Sequence, residues 1–82
     1  MIYKTRGTCS QSIDIEIDEN HIIRSVSFKG GCNGNLQGIS RLVVGRSAEE
    51  VADLLEGTHC GYRNTSCPDQ LSHAIRTALE QM

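Results

Sequence analysis

Four cysteines, Cys9, Cys32, Cys60 and Cys67, are the residues best equipped for chemistry in this 82-residue sequence. A thiolate binds soft metals and attacks disulfides, and a set of four suits a tetrahedral zinc site or an iron–sulfur centre. In an oxidising compartment the same four would form two disulfides, with three pairings open. The opening residues MIYKTRGTCS hold no apolar stretch of signal-peptide length, and no run approaches a membrane span. A cytoplasmic location without membrane association is therefore expected, and there reduced thiols point to metal binding or redox chemistry. The linear spacing is not itself a metal motif, because no C-x-x-C pair occurs. Any shared site must be assembled by the fold.

The other candidates carry less. A single buried cysteine is most often a small apolar core residue, but three of the four here fall in loops or at helix starts. His59 beside Cys60 is a potential ligand whose ordinary reading is solvation. His21 falls in a turn and His73 within a helix, and both read as structural or surface residues. The glycine-rich stretch around Cys32 lacks the Lys-Ser/Thr pair of a phosphate loop and reads as a tight turn that lets Cys32 point inward. With a formal net charge of -2 the chain has no basic footprint, so direct nucleic-acid binding is not expected.

The elements that must position these cysteines follow from periodicity. Residues 2–6 suit a short first strand. SIDIEI, residues 12–17, alternates strictly, placing Ile13, Ile15 and Ile17 on one face and Asp14 and Glu16 on the other. Asp18, Glu19 and Asn20 signal a turn, and residues 22–29 resume a strand with Ile22, Val26 and Phe28 on one face, closing a hairpin. Leu36, Ile39, Leu42 and Val43 then have helical spacing, with Gly45 at a C-cap position. Ser47-Ala48-Glu49-Glu50 is a capping box in which Glu50 reaches back to Ser47. It opens a second helix with Val51, Leu54 and Leu55 as its stripe, ended by Gly57. A third helix runs from Ser66 or Cys67 almost to the end, burying Leu71, Ala74, Ile75, Ala78 and Leu79. The expected core is Ile13, Ile15, Ile17, Val26, Phe28, Ile39, Val51, Leu54, Leu71 and Ile75. Strands first and helices after give an α+β domain over residues 1–82: a three-stranded antiparallel meander followed by three helices on one face.

Direction counting then brings the cysteines together. With strands running up, down and up, the connection holding Cys9 and the segment holding Cys32 both lie at the top. The first helix descends, and a short Gly45-Arg46 link sends the second back up, so Cys60 and Cys67 follow at the same end. Helix starts also favour thiolates, because the first N–H groups and the helix dipole stabilise an anion there. Cys67 precedes Pro68, a residue favoured in a first helical turn.

Thr65-Ser66-Cys67-Pro68-Asp69 spells TSCPD, and with FKGGCNGNLQGI it makes the chain resemble the TSCPD domain family over nearly its whole length, in its small stand-alone four-cysteine form. The same domain occurs near the C-terminus of adenosylcobalamin-dependent ribonucleotide reductases, and stand-alone members are labelled ribonucleoside-diphosphate reductases. A more distant resemblance is to the U-type iron–sulfur cluster scaffolds, whose ligand cysteines match Cys9, Cys32 and Cys67 in order. The scaffold's acidic residue after its first cysteine is replaced by Ser10-Gln11, and the histidine before its last by Ser66; Cys60 is an extra thiol. The resemblance implies a scaffold-like fold with Cys9, Cys32 and Cys67 as ligands and Cys60 able to stand in as the fourth; with the direction count, the expected cofactor is zinc or an iron–sulfur cluster held by Cys9, Cys32, Cys60 and Cys67. The resemblance also implies a protein partner such as a ribonucleotide reductase, and it leaves a homo-oligomer open.

Three readings follow: a metal-binding accessory module, a thiol–disulfide relay serving ribonucleotide reduction, and an interaction domain with inert cysteines. No residue is assigned a catalytic role. Ribonucleotide reduction needs a cofactor-dependent radical site that the protein must bind and shield, and a chain this short has no room for one beside a core. Any enzymatic role is therefore that of a component in a complex.

Overall fold

A computed structural model of the chain describes residues 1–7, 10–30, 33–58 and 65–82. Three strands are followed by three helices: β1 (Ile2–Lys4), β2 (Ser10–Ile17), β3 (Ile23–Gly30), α1 (Asn33–Val43), α2 (Ala48–Leu55) and α3 (Cys67–Glu80). The sheet is an antiparallel meander with β2 in the centre, which is the expected α+β architecture. Alternation in β2 works as read: Ile13 and Ile15 are buried and Asp14 and Glu16 are exposed. The hairpin turn is closed by Asp18, whose carboxylate accepts from the N–H groups of Asn20 and Ile22, both at 2.9 Å. His21 takes the left-handed conformation there, with φ of 62°.

A bulge corrects the reading of β3. Glu16 pairs with Ser25 but Ile17 with Ile23, so Arg24 is an extra residue. The extra residue flips the parity of the strand before it. Ile23 therefore joins Val26 and Phe28 on the core side and is fully buried, while Ile22 is half-buried and bridges to Ser47.

The helices cover the face formed by Ile13, Ile15 and Ile23. α1 packs on β3, α3 on β2, and α2 on α3. The centre comprises Ile13, Ile15, Ile23, Val43, Ala48, Val51, Ala52, Leu71, Ala74, Ile75 and Ala78, with Ile17, Val26, Phe28, Ile39, Leu55 and Leu79 half-buried around it. Leu54 is 67% exposed, and its place in the expected core is wrong. α2 turns the set Ala48, Val51, Ala52 and Leu55 inward, spaced i, i+3, i+4, i+7, and Leu54 flanks that stripe. Leu42 is similarly outside, at 69%, because α1 buries Leu36 and Val43.

Ser47 caps α2 as expected, its Oγ accepting from Glu50 N at 3.4 Å. The Glu50 carboxylate does not complete the box; it lies 3.9 Å from Arg46 Nη1 instead. Gly45 follows α1 with φ of 88°, a conformation that favours glycine.

Candidate functional site

The start of α3 is the best-connected polar region of the described chain. Ser66 is its N-cap: its Oγ accepts from Asp69 N at 3.1 Å and donates to the Thr58 carbonyl. This ties the first turn of α3 to the segment leaving α2. Pro68 sits in the first turn, where its missing N–H costs no helical bond. Cys67 is the first helical residue, 8% exposed, and its Sγ lies 3.3 Å from Ser10 Oγ at the start of β2. Either group can donate in that contact, since a hydroxyl both donates and accepts.

Asp69 is the buried charge of the cluster, at 5% exposure. One carboxylate oxygen accepts from Gly57 N at 2.7 Å; the other accepts from the Thr65 hydroxyl and lies 3.3 Å from His73 Nε2. Burial alone would push this carboxyl up. The Thr65 hydroxyl, the Gly57 N–H and the charge of His73 together outweigh burial and hold it below the ordinary aspartate range. Gln70 extends the network, donating to Thr65 Oγ1 and accepting from Arg6 N, both at 3.0 Å.

The five residues Thr65 to Asp69 thus work as a junction that clamps the end of α2, the β1–β2 connection and the start of β2 onto one helical turn. All five stand in the motif that carries the family resemblance, but the sequence reading gave roles to Cys67 and Pro68 and none to Asp69 and its partners. Ser66-x-x-Asp69 is a capping-box pattern that could have flagged them. Asp69 uses it differently, reaching Gly57 rather than the Ser66 N–H.

Asp69→Ala removes the acceptor of the Gly57 N–H and of the half-buried Thr65 hydroxyl. Because water can reach both groups, it is expected to cost about 0.5–1.5 kcal/mol for each hydrogen bond lost, read as a lowered denaturant midpoint. The pH dependence has a definite sign. Because the folded carboxyl titrates below its unfolded value of about 3.9, its contribution is fully present above that value. It is lost as pH falls through the folded one. Wild type should lose more stability than Asp69→Asn between about pH 5 and pH 2; equal losses would show that Asp69 does not drive the acid response.

Cys9, Cys32 and Cys60, and His59 with them, lie outside the described residues, so of the four expected ligands only Cys67 is located. Their described neighbours are informative. Gly7 lies against Thr65, so close that a Cβ on Gly7 would come within 3.1 Å of Thr65 Cγ2. Ser10 touches Cys67 and pairs with Gly30. Thr58 accepts from Ser66. Of the described ends that flank residues 8–9, 31–32 and 59–64, Gly7, Ser10 and Thr58 are therefore linked directly, and Gly30 through Ser10, to the start of α3. His21 sits at the opposite, hairpin end of β2 and pairs with Glu49, holding that carboxyl low; His73 joins the junction through Asp69. Among the described residues no three His, Cys, Asp or Glu side chains form a metal-binding group, and no helix is long and apolar enough to cross a membrane.

A family model described as the TSCPD domain matches residues 1–79. No curated protein and no solved structure matches the chain.

Proposed function

The chain belongs to the TSCPD domain family, and from that premise we propose that it is a small four-cysteine module that binds a metal through Cys9, Cys32, Cys60 and Cys67. The observation that supports this reading is the contact of Gly7, Ser10 and Thr58 with the residues that open α3 and carry Cys67, with Gly30 joined to the same place through its pairing with Ser10. Cys9 adjoins Ser10, and Cys32 and Cys60 each stand two residues from a member of that set. The reading asks these thiols to meet Cys67 from anchors one or two residues away, at about 3.8 Å between successive Cα atoms. The donor set fits the group: four thiols suit zinc or an iron–sulfur centre. When bound, such a centre supplies a cross-link between chain segments and, for iron–sulfur, a one-electron couple. Cys67 is buried at a helix start, where the orphan N–H groups of the first turn favour negative charge.

The module's setting is proposed to be cytoplasmic. Its role is that of an accessory to a larger protein, with a ribonucleotide reductase as the first partner to test. Ribonucleotide reduction needs a cofactor-dependent radical site that a protein must bind and shield, so the proposed role is that of a component in a complex.

The test is metal analysis with a visible absorption spectrum on anaerobically purified protein. Zinc bound by four thiolates is colourless and an iron–sulfur centre absorbs visible light. A stoichiometric metal that is lost in each single Cys→Ser variant is the expected result. Metal-free protein of native fold, with all four thiols titratable, would overturn the reading.

A further inference from the structure

Among the described residues β3 is an edge strand eight residues long, with no strand on its outer side. The pairing register tells which of its backbone groups face outward. Ile15 N donates to Met1 O and Thr5 N to Gln11 O, so the backbone groups of Ile15 and, by alternation, Ile13 point toward β1. Their partners across the hairpin are Val26 and Phe28. Val26 and Phe28 therefore turn their own N–H and C=O groups away from β2, onto the open edge. Ile23, the same parity after the bulge, shows how that edge is used: its N–H donates to Arg46 O at 3.0 Å and its C=O accepts from Gly45 N at 2.8 Å. The α1–α2 turn thus occupies the first rung of an edge whose next rungs are at Val26 and Phe28.

Beside that edge run two cavities that share Gln37 on α1. One of about 370 Å³ is lined by Phe28 and Leu36, and one of about 440 Å³ by Val26, Ser40 and Arg41. Together they make a trough between an edge strand and a helix, half apolar and half polar. Its described lining includes Arg24 and Arg41 and no carboxylate. Arg24 is engaged by Asp18 at 2.6 Å, and Arg41 on the rim forms no ion pair with any described residue. Lys29 on the same strand is exposed.

We propose that this trough is a docking site for an acidic peptide segment of a partner protein, bound in extended form as a fourth strand on β3. The backbone rungs at Val26 and Phe28 supply hydrogen bonds independent of the partner's side chains. Alternate side chains of the added strand would point toward α1, where Arg41 selects a carboxylate and the wall of Leu36 and Phe28 selects an apolar group. Charge decides against a second copy of this chain as the occupant, since pairing two β3 edges would bring Arg24, Lys29 and Arg41 of both copies together. The inference does not rest on the metal reading.

The probe is a blocked octapeptide alternating glutamate with valine or threonine, titrated into the whole chain and followed by amide resonances. Its lysine counterpart and forms N-methylated on alternate amides, in both phases, serve as comparisons. The expected result is that shifts concentrate at Val26, Phe28, Gln37 and Arg41. One phase of methylation should weaken binding about tenfold, as loss of backbone bonds requires, and the lysine peptide should not bind. Arg41→Glu, on an exposed helical position, should keep the native spectrum and weaken the glutamate peptide about fivefold. No binding, shifts elsewhere, equal binding of the two charges, or indifference to both methylation phases would overturn the proposal. So would concentration-dependent shifts of β3 without peptide, which would assign the edge to a second copy.

Discussion

Leu71→Ala is expected to lower the free energy of unfolding by about 2–5 kcal/mol, the range for truncating a fully buried leucine. Leu71 has no solvent exposure and belongs to the central cluster with Ile13, Ile15, Val51 and Ile75. α3 packs on β2 on one side and on α2 on the other, so a cavity there is walled by three elements and cannot collapse by moving one of them. A domain of this length carries about 5–15 kcal/mol in all, and each kcal/mol moves the melting temperature by about 4–8 °C. The variant should therefore melt well below wild type or fail to fold at 37 °C. Leu54→Ala is the internal control. At 67% exposure it should stay within about 0.5 kcal/mol of wild type. The order reversed, with Leu54→Ala the more damaging, would mean that the helices present other faces to the sheet.

That control marks where sequence reasoning ended. Strict alternation in β2 and the 3.6-residue stripe of α3 were readable because each element has one buried face and a long enough run to define it. α2, only eight residues long, offers two apolar stripes, one through Leu54 and one through Ala48 and Ala52. Alanines carry little hydrophobic weight, so the stripe that wins does so through close packing on α3, a tertiary fact. The bulge at Arg24 was also invisible, because one extra residue changes parity without changing composition. At the site, Cys67 and its helix start were legible from the Cys-Pro pair. Ser66-x-x-Asp69 signals a capping box, but that Asp69 instead accepts from Gly57 and Thr65 is a tertiary fact that no periodic pattern encodes. The direction count that gathers the four cysteines falls, Cys67 apart, on residues outside the described ones; the meander of strands on which it depends is present.

The proposed metal site makes the second large prediction. Thiolates must lose protons to bind a metal, and a site absent from the unfolded chain makes binding free energy into folding free energy. A strong chelator should therefore lower the melting temperature of the wild-type protein by more than about 10 °C, the shift expected from the loss of a few kcal/mol in a domain this small. Cys67→Ser needs care as a probe. Its Sγ is buried against Ser10, so the substitution also perturbs the β2–α3 contact, and a lowered melting temperature alone would not implicate a metal. The informative quantity is the difference between melts with and without chelator: large in wild type and nearly abolished in Cys67→Ser. A thiol relay predicts another pattern. There the melt responds to reductant and not to chelator, and Cys60 with Cys67, which share one connection, form the first pair to test for a dithiol–disulfide couple. Indifference to chelator and reductant alike would leave the cysteines inert and make the docking trough on β3 the chain's remaining candidate for function. These patterns separate because a metal stabilises only the folded chain, whereas a disulfide acts largely by restricting the unfolded one. Adding chelator and reductant in turn to one set of melts therefore distinguishes all three.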